Sequence, residues 1–348
     1  MNGNVIIRRE GRAGLITLNR PSALNALDHD MCLAIEAAIE SWRDDTTIDL
    51  VLIDASGEKA FCAGGDITLI YEQARAGALE PVRQFWRDEY RLNAKIAEYP
   101  KPIVSFLQGF VMGGGVGIGC HGSHRVVGAS TQIAMPECGI GLIPDVGVSL
   151  ILANAPGRLG EYLGLTGDRM NGADAIYAGF ADIYIPEAEW ARVREELAAS
   201  GQIEFLGKAA ITPEPSRLAT YSQFVDGVFS GANLREITEG LREETGDFAA
   251  RALAAISRGS PLALCCALEV IRQAREFRTV RQATALEYRF TWRSHEYGDF
   301  IEGIRAQVID KDRKPHWSLS AIADVRTENV AFMLAYLGEN ELRIEGDA

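Results

Sequence analysis

The sequence predicts an α/β core over residues 1–200, followed by a mainly helical region over residues 201–348. Apolar runs bounded by turn residues are typical of strands buried in a sheet. Between these runs, apolar residues recur at the spacing of an amphipathic helix. The order strand, strand, helix repeats to about residue 185, and beyond it the pattern is mostly helical, which favours a helical region after the α/β core.

The first elements follow from the N-terminal pattern. Residues 5–9 and 14–19 predict two strands joined by a glycine-containing turn. Residues 30–42 place apolar side chains at helical spacing and predict the first helix.

Two apolar runs predict buried strands in the centre of the core. They are LVLIDA at 50–55 and PIVSFL at 102–107, and a long helix over 68–98 is predicted between them. The same criteria predict further strands near 123–128 and 131–134, and helices near 147–154, 158–165 and 172–178.

The composition argues against several classes of protein. A net charge of −13 without a basic cluster disfavours nucleic acid as a partner. No run reaches the ~20 apolar residues of a membrane span, and the N-terminus lacks the apolar stretch of a signal peptide. A cytoplasmic protein is therefore expected, or one of the mitochondrial matrix if the source is eukaryotic.

The cysteine and histidine patterns indicate no metal site. Six cysteines are scattered without a C-x-x-C pair, which disfavours both zinc and a disulfide framework. His121 and His124 lack a surrounding H-E-x-x-H pattern, so a structural role is the better interpretation.

Two glycine-rich segments are candidates for binding through the backbone. FCAGGD at 61–66 and MGGGVGIG at 112–119 each come after a predicted buried strand. Glycines at such positions permit sharp turns and expose N–H groups. A tight turn is the alternative for the first segment, and a flexible linker, disfavoured by its apolar flanks, for the second. Together the segments could form an oxyanion hole from two backbone N–H groups.

The segment MPECGIGLIPDVG at 135–147 contains two carboxylates in apolar surroundings. Burial would raise the pKa values of Glu137 and Asp145 and suit them to acid–base or nucleophilic chemistry. The alternative is that they cap helices, a role that fits Asp145 well because a helix is predicted after it.

A third carboxylate lies on the long predicted helix. Glu89 falls in the middle of its apolar face, whereas neighbouring charged residues, including Asp88, fall on the opposite face. A carboxylate on a buried face needs a partner or a function. A structural hydrogen bond, to Asn93 or to a buried arginine, and a role in binding substrate are both consistent with this position.

Four motifs together resemble the crotonase, or enoyl-CoA hydratase/isomerase, superfamily. The resemblance implies a spiral of β-β-α repeats that binds acyl-CoA, with the N–H groups of Gly65 and Gly114 holding the thioester oxygen. The motifs are LNRPSALNAL at 18–27, FCAGGD at 61–66, MGGGVG at 112–117 and AMPE at 134–137.

Within that superfamily the chain is most similar to the 3-hydroxyisobutyryl-CoA hydrolases. Hydratases carry a second catalytic glutamate where this chain has Gly117, and that loss disfavours water addition to a double bond. The sequence contains no G-x-S-x-G motif, which disfavours a thioesterase of the α/β-hydrolase type. The segments that resemble the hydrolases are RDEY at 87–90, PDVG at 144–147, EYRFTWRS at 287–294 and residues 299–317.

The resemblance implies hydrolysis of a short β-hydroxyacyl-CoA without any cofactor, because coenzyme A is part of the substrate. Glu137 would attack the thioester or activate water, and Asp145 would orient the substrate hydroxyl or water. The expected substrate-binding residues are Asn25, Ala63, Asp66 and Glu89. The C-terminal region would complete the site, and relatives are often trimers or hexamers. The alternatives are an enoyl-CoA hydratase or isomerase that uses Glu137, and a non-catalytic binding protein.

Two residues and one short stretch depart from the family pattern. Relatives usually carry lysine where this chain has Ser22, and a basic residue where it has Thr68, so the contacts to the CoA phosphates are unassigned. The glycine-rich stretch that follows PDVG in relatives is replaced by Val148-Ser149-Leu150, which is expected to reshape the acyl pocket.

Overall fold

A computed structural model describes residues 3–344 and has an α/β fold, as the sequence predicts. The described chain contains nine strands, and every element after the last of them is helical. The strands are β1 (Val5–Glu10), β2 (Ala13–Leu18), β3 (Leu50–Ala55), β4 (Ala60–Cys62), β5 (Ile103–Phe106), β6 (Phe110–Met112), β7 (His124–Val127), β8 (Gln132–Ala134) and β9 (Ile183–Tyr184).

The described chain contains seventeen α-helices. The first seven are α1 (His29–Arg43), α2 (Ile67–Arg75), α3 (Leu79–Ala97), α4 (Gly114–Gly119), α5 (Val148–Asn154), α6 (Leu159–Thr166) and α7 (Gly172–Tyr177). The remainder are α8 (Trp190–Ser200), α9 (Glu204–Ala209), α10 (Arg217–Thr220), α11 (Ser222–Phe229), α12 (Leu234–Glu243), α13 (Asp247–Arg258), α14 (Pro261–Gln273), α15 (Val280–Ser294), α16 (Phe300–Ile304) and α17 (Thr327–Leu334).

From β3 onward, successive strands alternate between two sheets. The larger sheet has the order β1-β2-β3-β5-β7-β9, and the smaller sheet has the order β4-β6-β8. Apart from the antiparallel hairpin β1–β2, all pairs are parallel. In each pair β3/β4, β5/β6 and β7/β8, the first strand joins the larger sheet and the second joins the smaller one. This repetition confirms the predicted spiral of β-β-α repeats.

Both faces of the larger sheet are covered. On one face, side chains of β2, β3 and β5 pack with Trp190, Val193 and Leu197 of α8. On the other face α1 lies so close that a Cβ on Gly14 would stand 2.3 Å from the Trp42 ring. Strands buried on both faces are apolar throughout rather than alternating, which is why the run at 50–55 was recognisable in the sequence.

The contacts of the chain define two compact units, each assembled from separate segments. The first unit comprises residues up to 65, 88–134 and 169–219 and contains both sheets. The second unit comprises residues 66–87, 135–168 and those from 220 onward. The predicted division near residue 200 describes the change to an all-helical pattern and stays a prediction.

The prediction of one long helix over 68–98 is wrong. The helix expected over 68–98 is two helices, α2 and α3, separated at Gly77, which has a φ of +75°. Glycine adopts this left-handed conformation at little cost, so the chain can turn there. The short strands β4, β6 and β9 were not predicted, because two or three residues give little periodicity, although the three-residue β8 does fall in the strand predicted near 131–134.

No single described helix is long and apolar enough to cross a bilayer. The bent pair Asp247–Arg258 and Pro261–Glu276 meets the length and composition criteria only when its two helices are counted together.

Candidate active site

Two glycine-containing turns follow adjacent parallel strands of the smaller sheet. β4 pairs with β6, with Ala60 opposite Phe110, so the chain leaves both strands at the same edge. There, Gly64 has a φ of +108° and Gly113 a φ of +48°, conformations that favour glycine. We call Gly64–Gly65 and Gly113–Gly114 the donor loops.

The donor loops bring Gly65 and Gly114 together. A Cβ on Gly114 would lie 3.5 Å from the Gly65 nitrogen. No backbone hydrogen bond to another residue in 3–344 uses the N–H of either glycine. The neighbouring Gly115 is equally constrained, since its Cβ would stand 2.2 Å from the Cys62 carbonyl oxygen. The arrangement can present two N–H groups to one oxygen, as an oxyanion hole requires.

Glu89 lies beside the donor loops. Its side chain is 3 % exposed, and its Oε1 is 2.6 Å from the position that a Cβ on Gly114 would take. The suggested hydrogen bond to Asn93 is absent, because within the described chain the buried Asn93 amide has no hydrogen-bond partner. The adjacent Asp88, expected on the exposed face, is instead buried and paired with His29 and Arg91.

Asn25 is buried, but its polar atoms are used within the protein. Its Nδ2 donates to the carbonyls of Ser56 at 3.0 Å and Ala60 at 2.9 Å, and its Oδ1 accepts from the Arg20 N–H at 2.8 Å. These bonds tie the 20–27 segment to the chain that enters β4. The role predicted for Asn25 as a substrate contact stays a prediction, and its visible contacts are structural.

Ala63 lies in the same part of the first unit, on the chain between β4 and the donor loop. Its N–H donates to the Leu24 carbonyl at 3.1 Å, which anchors this chain to the 20–27 segment. A pocket of about 340 Å³ opens nearby. Its lining residues are Pro21, Leu24, Asn25, Ser56, Gly57, Glu58, Lys59 and Ala60.

Glu137 belongs to the second unit and is the first residue of a short 3-10 helix, Glu137–Ile140. Its side chain is 6 % exposed, and no residue in the described part of the chain forms a hydrogen bond with Oε2. Burial raises the pKa of Glu137 well above its ordinary value, and the negative charge of Asp145 raises it further. A buried carboxylate with a free oxygen is suited to attack a carbonyl or to accept a proton.

Asp145 is also buried, at 5 % exposure, and lies near enough to Glu137 for its charge to act on it. The N-cap residue of the following helix α5 is Gly147, not Asp145, so the capping alternative does not account for this carboxylate. Asp66, in the same unit, is the N-cap residue of α2, and its side chain makes no capping hydrogen bond.

A further carboxylate, not recognised from the sequence, lies in the second unit. Glu287 of α15 is fully buried and accepts hydrogen bonds from the backbone of Gly147 and Ser149. Burial raises the pKa of Glu287, and the charge of Asp145 adds to the rise. We call Glu137, Asp145 and Glu287 the carboxylate cluster. The sequence carries no clear signal for it, because Glu287 stands in the stretch EYRF, which also contains the charged residue Arg289.

The structure thus brings Gly65, Gly114 and Glu89 together in the first unit, and Glu137 and Asp145 together in the second. Among residues 3–344 no group of three or more histidine, cysteine, aspartate or glutamate side chains could hold a metal ion. The six cysteines are free thiols.

The alternating two-sheet fold and the glycine-rich motifs are those of the crotonase superfamily, whose members are enzymes of acyl-CoA chemistry. Residues 13–334 match the model of the family described as enoyl-CoA hydratase/isomerase, and the chain belongs to this family.

Its curated relatives include the mitochondrial 3-hydroxyisobutyryl-CoA hydrolases of Gallus gallus and Rattus norvegicus. The Gallus protein is 35 % identical over 98 % of this chain and 91 % of its own length. The Rattus protein is 36 % identical over 97 % and 90 %, respectively.

Solved structures with the same fold carry other names. An enoyl-CoA hydratase from Rhodobacter sphaeroides is 49 % identical, with a TM-score of 0.93 over 98 % of this chain and 100 % of its own. A carnitinyl-CoA dehydratase from Mycobacterium thermoresistibile is 41 % identical, with a TM-score of 0.95 over 99 % and 100 %.

Proposed function

We propose that this protein hydrolyses a short β-hydroxyacyl-CoA thioester, of the 3-hydroxyisobutyryl-CoA type, to the free acid and coenzyme A. The observation that carries the proposal is the buried Glu137–Asp145 pair, combined with a glycine at position 117. Water addition in the hydratases uses a second glutamate at that position, whereas thioester hydrolysis does not need it. The names of the curated relatives support the same reaction.

The proposed chemistry starts at the thioester carbonyl. The N–H groups of Gly65 and Gly114 donate to its oxygen and stabilise the negative charge that develops there. Glu137 attacks the carbonyl carbon, the C–S bond breaks, and coenzyme A leaves as a thiolate that takes up a proton. Water then hydrolyses the resulting anhydride. In the alternative course, Glu137 accepts a proton from a water molecule that attacks the carbonyl directly.

Asp145 and Glu89 have supporting roles in this proposal. Asp145 orients the substrate hydroxyl or the water and transfers a proton, and its burial keeps it from being fully solvated. Glu89 accepts a hydrogen bond from the substrate hydroxyl, and Ala63 and Asp66 contact the thioester portion. The reaction requires only water and the thioester, so no cofactor is proposed.

The coenzyme A tail is proposed to use the pocket of the first unit. Ser22 and Thr68, where relatives carry basic residues, are exposed here and offer no positive charge. Lys59 is an exposed cation in the pocket lining and is available to a phosphate group. Lys59 stands two residues before FCAGGD and is not part of that motif, so the motif did not point to it.

The test compares thiol release with loss of enoyl absorbance. We expect rapid release of coenzyme A thiol from 3-hydroxyisobutyryl-CoA or 3-hydroxypropionyl-CoA, little release from unsubstituted acyl-CoA, and negligible loss of crotonyl-CoA absorbance. Rapid hydration of crotonyl-CoA without thiol release would establish the hydratase alternative instead. Tight binding with no turnover of either substrate would favour a non-catalytic binding protein.

A single-turnover reaction in ¹⁸O-labelled water tests for the anhydride course. If water attacks the anhydride at the Glu137 carbonyl, the label enters the Glu137 carboxylate, where peptide mass spectrometry detects it, and this result establishes the anhydride. Direct attack of water on the thioester labels only the released acid, as does attack of water on the acyl side of the anhydride.

A further inference from the structure

Glu287 makes an unusual set of contacts for a carboxylate buried in a helical region. Its Oε2 accepts from the Gly147 N–H at 2.7 Å. Its Oε1 accepts from the Ser149 N–H at 3.0 Å and from the Ser149 hydroxyl at 2.5 Å. A carboxylate removed from water is costly unless hydrogen bonds replace its hydration. Here all three donors come from one short segment of chain, about 140 residues away in sequence.

That segment is the chain immediately after Asp145, and its backbone is strained. Val146 has a φ of +56° and Gly147 a φ of +80°. A β-branched residue such as valine rarely adopts a positive φ, so the surrounding contacts must hold it there. The Val148 N–H donates to the Asp145 carbonyl at 3.0 Å, which closes the turn.

The helix that follows cannot cap itself. The N-cap residue of α5 is Gly147, which has no side chain to accept the free N–H groups of the first turn. Glu287 takes this role from α15, because its two oxygens accept from the N–H groups of Gly147 and Ser149. Ser149, which stands where relatives have a glycine-rich stretch, adds the hydroxyl donor.

We propose that Glu287 is a positioning residue, which fixes the location of the Asp145 carboxylate by clamping the backbone of residues 146–149. It touches the loop and not the substrate. The inference rests on the proposed function for the role of Asp145, whereas the clamp itself is defined by the hydrogen bonds.

Electrostatics agree with this geometry. Burial raises the pKa of Glu287 to about 8, and the negative charge of Asp145 adds to the rise. The hydrogen bonds from Gly147 and Ser149 oppose the rise, because they stabilise the ionised form. The three hydrogen bonds of the clamp therefore offset part of the free-energy cost of burying the Glu287 carboxylate.

The test uses Glu287→Gln, Ser149→Ala and a matched control, Glu161→Gln. The glutamine side chain retains one acceptor oxygen for three donors. Ser149→Ala removes only the hydroxyl. Glu161 is another fully buried carboxylate of the second unit, but it is paired with Arg158 and Arg275 and does not contact the loop. Each variant is assayed for kcat, for KM and for amide hydrogen exchange at Gly147 and Ser149.

For Glu287→Gln we expect exchange at these two amides to accelerate at least about 10-fold, because their acceptors are weakened. The kcat value should fall about 10- to 100-fold with KM within about threefold, since misplacement of a catalytic group by ~1 Å has effects of this size. Ser149→Ala should lower kcat a few fold. Glu161→Gln should lower Tm without changing kcat or the exchange of the loop amides.

The exchange measurement needs no substrate, so it judges the clamp even if the wild-type enzyme releases no thiol and the proposed function fails. Unchanged exchange at Gly147 and Ser149 overturns the clamp. Wild-type kcat in Glu287→Gln, or an equal loss of kcat in Glu161→Gln, overturns the positioning role. If Glu287→Gln does not fold, Ser149→Ala decides: unchanged kcat and unchanged exchange at Ser149 refute the proposal.

Discussion

The donor loops and the carboxylate cluster supply their functional groups from different parts of the chain, the first from the backbone and the second from side chains. In the donor loops the reactive groups are backbone N–H groups. The chain needs glycine there because Gly64 and Gly113 have a positive φ and because a Cβ on Gly114 would lie 2.6 Å from Glu89 Oε1. In the carboxylate cluster the acting groups are side chains, and burial together with the negative charge of Asp145 raises the pKa values of Glu137 and Glu287. The first region should therefore be sensitive to added volume, and the second to a change of charge without any change of volume.

The largest effect is expected for Glu137→Gln, which changes charge but hardly changes volume. Binding is proposed to rest on backbone donors and the coenzyme A tail, so affinity for the ester should stay within a few fold. Turnover should fall by roughly 10²-fold or more, because the carboxylate is needed for the chemical step. A variant that keeps a tenth of the wild-type kcat in a thiol-release assay would remove Glu137 from its assigned role.

The complementary change in the donor loops is Gly114→Ala, which adds volume without charge. Its Cβ would lie 2.6 Å from Glu89 Oε1 and 3.5 Å from the Gly65 nitrogen, within the space proposed for the oxyanion. We expect kcat to fall by about 10²-fold, the size of effect seen when one oxyanion donor is lost. Gly227→Ala is the matched control, since its Cβ meets no atom within 4 Å, and it should retain full activity. Activity of Gly114→Ala within threefold of wild type would contradict the oxyanion role.

A smaller and selective effect is expected for Glu89→Ala. If Glu89 binds the substrate hydroxyl, kcat/KM for hydroxylated acyl groups should fall about 10-fold more than for unsubstituted ones, consistent with the loss of one hydrogen bond to a charged group. Asp88→Asn is the control, because Asp88 is a neighbouring buried carboxylate paired with His29 and Arg91. It should lower Tm without changing selectivity. Equal losses on both substrate types would exclude Glu89 from substrate binding.

The smallest effect is expected for the dependence of Tm on pH. Burial raises the pKa of Glu287 from 4.5 to about 8, so the folded protein keeps this proton at a pH where the unfolded chain has lost it. Its contribution to stability is therefore present below pH 4.5 and is lost as the pH rises towards 8. The fall in Tm between pH 5 and pH 8 should be smaller by a few degrees in Glu287→Gln than in the wild type.

Glu302→Gln is the control, because the pKa of Glu302 is shifted in the direction opposite to that of Glu287. Arg305 holds the pKa of Glu302 below its ordinary value, so its contribution to stability is complete by pH 5 and constant above it. This variant should lower Tm equally at both pH values. An unchanged slope in Glu287→Gln would mean that Glu287 gains no proton affinity on folding.

The donor loops could be predicted from the sequence because their cause is local. A glycine pair directly after an apolar run indicates an exposed backbone turn, and FCAGGD and MGGGVG are such runs. The paired strands β4 and β6 that align the two loops could not be seen, because three residues give no period and their pairing spans about 50 residues.

The carboxylate cluster was predictable only in part. Glu137 and Asp145 stand in one short apolar segment, so their burial could be inferred from their neighbours. Glu287 could not be placed with them, because its partners Gly147 and Ser149 are brought to it by tertiary structure. For the same reason the sequence suggested Asp145 as the cap of α5, although the capping carboxylate comes from α15. Local patterns reveal burial, but not which distant group satisfies it.

The interleaved composition of the two units has a consequence for how the protein is made. The chain passes from one unit to the other after residues 65, 87, 134, 168 and 219. During synthesis at ~5–20 residues per second, strands β1 to β8 emerge before the last segment of the first unit, which supplies β9. The second unit starts at residue 66, yet it lacks Glu287 until the chain has been made as far as α15. The donor loops can therefore form on the ribosome well before the carboxylate cluster, and no N-terminal fragment ending before residue 287 can contain the complete cluster.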